Sequence, residues 1–155
     1  MTPSVLFVCL GNICRSPLAE AAFIAEAARI GLEVEVASAG TGAWHIGDPP
    51  DRRAIATARR HGIDITGYRG RQVTPADFRT FTHIVALDRD NLADLRRVAP
   101  ADGTATLSLM LDHAPGRAGQ SVADPYGRDN AAFETTWRDV STAAAGLARS
   151  LSEGG

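Results

Sequence analysis

The ten residues 8–17 constrain the fold and the chemistry of this chain more than any other stretch. They read Val-Cys-Leu-Gly-Asn-Ile-Cys-Arg-Ser-Pro and follow an apolar run at 5–8 that predicts a buried strand. The alanine-rich stretch after them predicts a helix over 17–30, with Ser16 as its N-cap and Pro17 in its first position. The segment is therefore predicted to run from a strand through a tight loop into a helix.

A tight loop that leads into a helix N-terminus can bind an anion. Successive backbone N–H groups in such a loop point inward, and the helix N-terminus adds about half a positive charge. Gly11 lets the backbone bend, and Arg15 offers a planar guanidinium that matches two phosphate oxygens. No Gly-Lys-Ser/Thr sequence follows, which argues against a nucleoside triphosphate loop. The loop is predicted to hold a phosphate-sized oxyanion.

Cys9 lies at the base of this loop, where a thiol among N–H donors should ionise more readily than a free cysteine. A thiolate beneath a phosphoryl group is a nucleophile aimed at phosphorus. The alternative is a small buried apolar side chain, the common role of a free cysteine. Cys14 is either a structural thiol or a redox guard that forms a reversible disulfide with Cys9. The guard requires Cα atoms within about 7 Å of each other.

The pattern Cys9-(x5)-Arg15-Ser16 resembles the low molecular weight protein tyrosine phosphatases. Segments related to that family recur at 38–41, 44–50, 71–73, 87–92 and 124–126, so the resemblance spans nearly the whole chain. It implies one phosphatase domain over 1–155 with a four-stranded, parallel, flavodoxin-like sheet. It also implies hydrolysis of phosphotyrosine in proteins through a cysteinyl-phosphate intermediate, with no metal and no cofactor.

The resemblance assigns supporting roles as well. Asn12 would brace the loop and Ser16 would hydrogen-bond the thiolate, although in sequence terms they are also a turn residue and an N-cap. Trp44 and Tyr126 would flank the phosphotyrosine ring, the alternative being ordinary partial burial. The remaining substrate-binding positions of the loop are Leu10, Gly11, Ile13 and Cys14.

The chain departs from the family pattern at two positions. Gly127 stands where some relatives have a second tyrosine, so a tyrosine-phosphorylation switch is not expected there. Tyr68 stands where some relatives have histidine, which leaves that residue's supporting role open. His45, beside Trp44, either tunes substrate choice or is a surface loop residue.

Asp124, in the sequence Asp-Pro-Tyr, is the candidate general acid. A phenolate leaving group has a conjugate acid with a pKa of about 10, so its departure at neutral pH needs a proton. The same carboxyl, once ionised, could activate water to hydrolyse the intermediate. Asp-Pro alone is usually a turn, but the predicted loop over 112–128 is long, and long loops are often functional.

Strands and helices alternate along the chain and predict an α/β domain with a parallel sheet and helices on both faces. Ligands in such sheets bind beyond the carboxyl ends of the strands. Asp88 and Asn91 are predicted to cap a helix, as is Asp129. The predicted strands are 4–9, 33–38, 83–87 and 104–109, and the predicted helices are 17–30, 51–61, 90–98 and one after residue 129.

Two helices carry a pattern that predicts a buried face. A stripe of small side chains in the first helix should pack on the sheet, and a wider apolar stripe should bury one face of the last helix. The first stripe consists of Leu18, Ala21, Ala22, Ala25 and Ala28. The second consists of Phe133, Trp137, Val140, Ala144, Leu147 and Leu151.

Composition limits the possible partners and location. A length of 155 residues predicts one domain, and a formal net charge of −2 argues against a nucleic-acid partner. The N-terminal apolar run is too short for a signal peptide or a membrane span, so we expect a cytoplasmic protein without a membrane partner. All 16 basic side chains are arginine, a bias typical of GC-rich bacterial genes. We expect a monomer or weak dimer.

The cysteines and histidines indicate neither a disulfide framework nor a metal site. The 2 cysteines lie four residues apart, and the 4 histidines are scattered without ligand spacing. The expected partners are a phosphotyrosine-containing protein and, in the site itself, phosphate or another oxyanion.

Three other functions fit parts of the pattern. Arsenate reduction on the same fold usually needs a relay of further cysteines, although a variant that uses an external thiol would not. Protein-arginine phosphatases among the relatives tend to have threonine in place of Ile13. A branched apolar side chain at this position suits an aromatic substrate better. A phosphopeptide-binding module without activity would need neither Cys9 nor Asp124.

Overall fold

The computed structural model describes residues 2–154. The strands are β1 (Ser4–Cys9), β2 (Glu35–Gly40), β3 (His83–Ala86) and β4 (Thr106–Leu109), and a short 3₁₀ helix, Met110–His113, follows β4 directly. The α-helices are α1 (Arg15–Ile30), α2 (Arg52–Arg60), α3 (Asp77–Thr80), α4 (Arg89–Val98) and α5 (Asn130–Glu153).

The four strands form one parallel sheet in the order β2-β1-β3-β4. The central strand β1 is buried along its whole length because helices cover both of its faces. Val5 and Phe7 face the core layer that α1, α2 and α5 build. Leu6 and Val8 face the opposite layer, with residues of α3 and α4. The predicted class, a single α/β domain with a four-stranded parallel sheet and helices on both faces, is confirmed.

The start of α1 differs from the prediction. The helix begins at Arg15, two residues earlier than expected, and its N-cap residue is Cys14, which makes no side-chain capping bond. Ser16 is therefore not the N-cap, and Pro17 is the third helical residue. The Ser16 hydroxyl instead contacts Cys9 Sγ and accepts from Asn12 Nδ2.

The predicted stripe of α1 is wrong at two positions. Ala25 and Ala28 are exposed, whereas Phe23 and Ala27 are buried beneath the helix. Phe23 packs its ring 5.4 Å from that of Phe7, and this large contact sets the face that α1 turns to the sheet. The predicted face of α5 is confirmed, with Trp137 and Leu151 packed at its margin.

Other boundaries shift by one or two residues. β2 runs from Glu35 to Gly40 because its register against β1 pairs Gly40 with Cys9. The predicted loop over 112–128 overlaps the 3₁₀ helix, which sequence periodicity did not indicate. The predicted caps Asp88 and Asp129 are both confirmed. None of the helices within 2–154 combines the length and the apolar character that a membrane crossing requires.

Candidate active site

The candidate site lies at the carboxyl ends of β1, β2 and β3. Cys9 is the last residue of β1, and the amide of Thr41, just after β2, donates to its carbonyl oxygen over 2.9 Å. Gly40 ends β2 so close to the loop that a Cβ atom there would lie 2.8 Å from the carbonyl oxygen of Leu10. The edge of a parallel sheet thus meets a helix N-terminus, the usual place for a ligand in such folds.

Two donors surround the sulfur of Cys9. The Oγ of Ser16 lies 3.0 Å from Sγ, and the amide of Asn12 donates to Sγ over 3.3 Å. The Nδ2 of Asn12 also donates to Ser16 Oγ over 2.7 Å. Since that hydroxyl oxygen is already an acceptor, its own proton is free to point at the sulfur. Both contacts stabilise a thiolate more than a thiol.

Asn12 is held from several directions. Its φ of 58° lies in the left-handed region, which asparagine tolerates better than most residues. Its Nδ2 donates to Ser38 Oγ over 3.0 Å, and its Oδ1 accepts from the backbone amide of Arg71 over 3.1 Å. The side chain therefore ties the loop to β2 and to the segment that follows α2, which keeps the strained backbone in place.

The hydrogen-bond chain continues beyond Asn12 to a partly buried carboxyl. Ser38 Oγ donates to Glu20 Oε1 over 2.7 Å. Burial raises the pKa of Glu20, and the hydrogen bond from Ser38 offsets that only in part. Tyr68 is half-buried nearby, and its burial together with the charge of Glu20 raises its pKa to about 12. Sequence reasoning identified neither Ser38 nor Glu20 as part of the site.

The loop between β1 and α1 presents amides without partners. Among residues 2–154, the backbone N–H groups of Gly11, Ile13 and Cys14 have no hydrogen-bond acceptor. They lie next to the first turn of α1, where a helix carries partial positive charge. Such a group of donors binds a tetrahedral oxyanion well.

Burial raises the pKa of the Cys14 thiol, with a further contribution from the charge of Asp51, so Cys14 stays protonated at neutral pH.

Arg15 is buried, with only 4% of its side chain exposed. Its Nη1 donates to Asp88 Oδ2 over 2.7 Å and to the carbonyl oxygen of Val122 over 2.9 Å. Asp88 also caps α4 through its other oxygen, which accepts from Asn91. One carboxylate thus fixes both the helix start and the guanidinium. Sequence reasoning predicted the cap but missed the contact with Arg15.

Asp124 lies on the opposite side of this guanidinium. Its Oδ2 is 3.8 Å from Arg15 Nη2, and the side chain is 52% exposed. Its Oδ1 accepts from the amide of Tyr126 over 3.1 Å, a local turn contact. The carboxyl is therefore oriented by the loop 114–129 itself and faces the open side of the cleft.

A cleft of about 540 Å³ opens above the loop. The structure brings to it every loop residue that the sequence singled out except Asn12 and Ser16, which lie behind the sulfur. Trp44 and Tyr126 stand at its rim, 71% and 58% exposed. His45 lies against Gly11 and contacts Asp48 over 3.1 Å. The lining residues are Cys9, Leu10, Gly11, Ile13, Cys14, Arg15, Trp44, His45, Asp124 and Tyr126.

This arrangement agrees with what comparison to known proteins shows. The family model described as low molecular weight phosphotyrosine protein phosphatase matches residues 4–154. The chain is 42% identical over 150 residues to the low molecular weight protein-tyrosine-phosphatase of Bacillus subtilis (strain 168), covering 96% of this chain and 95% of that one. The chain therefore belongs to the low molecular weight phosphotyrosine protein phosphatases, a family of hydrolases.

Solved structures agree with the fold. A protein tyrosine phosphatase from Entamoeba histolytica, with Hepes in its active site, superposes with a TM-score of 0.93 at 32% identity and covers 99% of both chains. The arginine phosphatase of Drosophila superposes with a TM-score of 0.89 at 28% identity, covering 95% of this chain and 96% of that one. The same architecture thus occurs in relatives whose names give different phosphorylated residues.

Proposed function

We propose that this protein hydrolyses phosphotyrosine in proteins in two steps through a cysteinyl-phosphate intermediate. In the first step the Cys9 thiolate attacks phosphorus while the bond to the tyrosine oxygen breaks, and Asp124 gives that oxygen its proton. In the second step Asp124 takes a proton from water, the water oxygen attacks phosphorus, and the thiolate leaves. Inorganic phosphate is released and no metal takes part.

The observation that carries the proposal is the environment of the Cys9 sulfur. Ser16 Oγ and the Asn12 amide lie 3.0 and 3.3 Å from it, and both can donate to a negatively charged sulfur. A thiolate held in this way attacks readily in the first step and departs readily in the second. The interpretation of Cys9 as an inert buried side chain does not account for two converging donors.

Arg15 and the unpartnered loop amides would bind the three non-bridging phosphoryl oxygens. The pairing of Arg15 with Asp88 and Val122 leaves its other N–H groups for the ligand. Donors that are oriented before substrate binds cost no reorganisation during the reaction, so they stabilise the transition state efficiently. Because the Arg15 guanidinium is already buried and paired with Asp88, substrate binding costs little further desolvation.

Asp124 and the aromatic rim support phosphotyrosine as the substrate. Trp44 and Tyr126 are both exposed and both line the cleft, where they would contact a planar ring. Ile13 is 8% exposed and offers an apolar side chain to the same ring. The carboxyl of Asp124 would protonate the phenolate as it departs.

Two other activities are alternatives to the proposed one. The Drosophila relative is named an arginine phosphatase, but the apolar Ile13 favours an aromatic ring over a guanidinium here. Arsenate reduction with the protein's own thiols would use Cys14 as its second thiol. Since burial raises the pKa of that thiol, it is a weak nucleophile at neutral pH.

The test is a phosphatase assay without added metal on matched phosphotyrosine, phosphoserine and phosphoarginine peptides. We expect phosphotyrosine to be hydrolysed at least about a hundredfold faster than the others. Cys9→Ser should lower kcat by about a thousandfold or more, while inorganic phosphate still binds in calorimetry. Cys14→Ser, a matched change in the same loop, should retain activity. Equal turnover by the Cys9→Ser variant would remove the mechanism.

A further inference from the structure

A second depression adjoins the substrate cleft on the far side of Trp44. It has an open volume of about 640 Å³, and we name it the outer groove. Leu10 and Trp44 form its wall towards the cleft, and Val73, Arg97 and Val98 form its opposite side. Since Leu10 and Trp44 also line the cleft, one chain of a bound substrate could occupy both spaces.

The wall between the two spaces depends on Gly42. A Cβ atom at this position would lie 1.9 Å from Cζ3 of Trp44, so the indole lies directly against the glycine backbone. Any larger residue would push the ring away. Trp44 is 71% exposed, and the absence of a side chain at Gly42 lets its ring lie between the cleft and the outer groove.

The outer groove exposes more apolar than polar surface, although Thr41, Gln72, Asp94 and Arg97 also line it. Leu10, Trp44 and Val98 are 45%, 71% and 44% exposed, and they belong to the few large apolar side chains that the described residues leave open to solvent. Arg97 is the basic side chain in this groove, and Asp94, one turn earlier on α4, pairs with it. Because the guanidinium already has a carboxylate partner, an acidic ligand gains little there. Contiguous exposed apolar side chains of this kind mark a recognition site.

We propose that the outer groove binds an apolar side chain of the substrate protein close to the phosphotyrosine, and so selects among substrates. This inference rests on the proposed function. Because the outer groove shares Leu10 and Trp44 with the cleft, and an extended peptide advances about 3.3 Å per residue, the apolar residue is close in sequence to the phosphotyrosine. Leu10, Trp44 and Val98 contact it from three sides, and Arg97 contributes the alkyl part of its side chain.

The test is a scan of phosphotyrosine peptides in which each flanking position is in turn leucine or alanine. We expect leucine to raise kcat/KM about fivefold or more at one position. Val98→Asp should abolish that preference, because a carboxylate would then face the leucine. The same variant should hydrolyse 4-nitrophenyl phosphate at the rate of the unmodified protein, since that substrate is too small to reach the outer groove.

Three controls separate the possible outcomes. Ile30→Asp changes another exposed apolar side chain at a helix end, 36% exposed, and should leave the preference intact. Arg97→Ala should retain most of it, whereas a preference for glutamate that disappears in this variant would overturn the apolar assignment. Binding of the same peptides to Cys9→Ser, measured by calorimetry, should show the leucine preference without turnover.

Failure of this inference differs from failure of the proposed function. One such result is hydrolysis of phosphotyrosine peptides with no leucine preference, and another is a leucine preference that survives Val98→Asp. Either result would overturn the proposed role of the outer groove and leave the mechanism standing. A protein that hydrolyses no phosphotyrosine peptide would overturn the mechanism. A leucine preference absent from the binding measurement with Cys9→Ser would also reject the outer groove, whatever the activity.

Discussion

The two sides of the cleft are built in opposite ways. The nucleophile side is interior: Cys9, Asn12 and Ser16 are at most 4% exposed and are joined by hydrogen bonds between side chains. The acid side is a surface loop, where Asp124 is 52% exposed and its hydrogen bond comes from Tyr126, two residues along the chain. The nucleophile side is therefore part of the core, whereas the acid side belongs to a loop on the surface.

This difference separates two kinds of mutational effect. A change on the nucleophile side removes hydrogen bonds that also stabilise the fold, so activity and stability should fall together. A change at Asp124 alters a half-exposed carboxyl whose contact with Arg15 spans 3.8 Å, so it should affect the chemistry alone. The following variants test whether the two sides are as independent as their construction indicates.

Among the variants that compare the two sides, Asp124→Asn is expected to have the largest effect on rate, although a smaller one than loss of the nucleophile itself in Cys9→Ser. Without a proton donor, kcat for phenyl phosphate should fall by about a hundredfold or more. The loss should be much smaller for 4-nitrophenyl phosphate, whose leaving group departs without a proton. The melting temperature should stay within about 2 °C of the original, because the asparagine oxygen still accepts from the Tyr126 amide. Kinetics on both substrates and a thermal melt provide the measurement.

Asp129→Asn is the matched control for this variant. Asp129 is the N-cap of α5 and accepts from the amide of Ala132 over 3.0 Å, so the substitution tests a carboxyl at the far end of the same loop. Asparagine is also a good N-cap, and neither rate nor leaving-group dependence should change. An equal loss for both leaving groups in Asp124→Asn would show that Asp124 is not the acid.

Ser16→Ala should have a smaller effect on rate and a larger one on stability. The variant removes one of the two donors to Cys9, and a hydrogen bond to a charged group contributes about 1.5–3 kcal/mol, so a loss of about tenfold or more is expected. Phenyl and 4-nitrophenyl phosphate should be affected equally. The free energy of unfolding should also fall by about 1 kcal/mol, because Asn12 loses an acceptor.

Ser141→Ala provides the comparison for this change. Ser141, on α5, has a buried hydroxyl without a partner among residues 2–154, so its removal should leave the rate unchanged and the stability unchanged or higher. Denaturant titration and initial rates measure both quantities. If Ser16→Ala proved stable but inactive towards one leaving group alone, the hydroxyl would act on the leaving group and not on the sulfur.

Local sequence predicted the parts of the site that depend on neighbours along the chain. The strand, the loop and the helix around Cys9 follow from apolar runs and turn residues. The cap follows from the positions of Asp88 and Asn91 at the start of a predicted helix. What local sequence could not provide is contact between distant segments. Asn12 reaches Ser38 and Arg15 reaches Asp88 only because the strands β2 and β3 flank β1, and strand order is not encoded in spacing.

The misplaced helix start has a similar cause. Serine followed by proline is a typical N-cap pattern, and without the fold there is no reason to prefer another role for Ser16. In the structure its hydroxyl is captured by Cys9 and Asn12, so α1 begins at Arg15 without a side-chain cap. The site thus overrides a local preference, as functional residues often do.

The last prediction concerns the reactivity of the two thiols on the nucleophile side, and the expected difference between them requires no change in activity. Cys9 has donors at its sulfur, whereas burial raises the pKa of Cys14, and a raised pKa means that the thiol form persists to higher pH. At neutral pH iodoacetamide should therefore alkylate Cys9 and leave Cys14 unmodified, and Cys14 should react only as the pH is raised well above the ordinary range of a thiol. Peptide mass spectrometry of the unmodified protein, Cys9→Ser and Cys14→Ser measures both sites. Alkylation of Cys14 in Cys9→Ser at neutral pH would contradict this contrast, and would mean that the whole loop, not one sulfur, is activated.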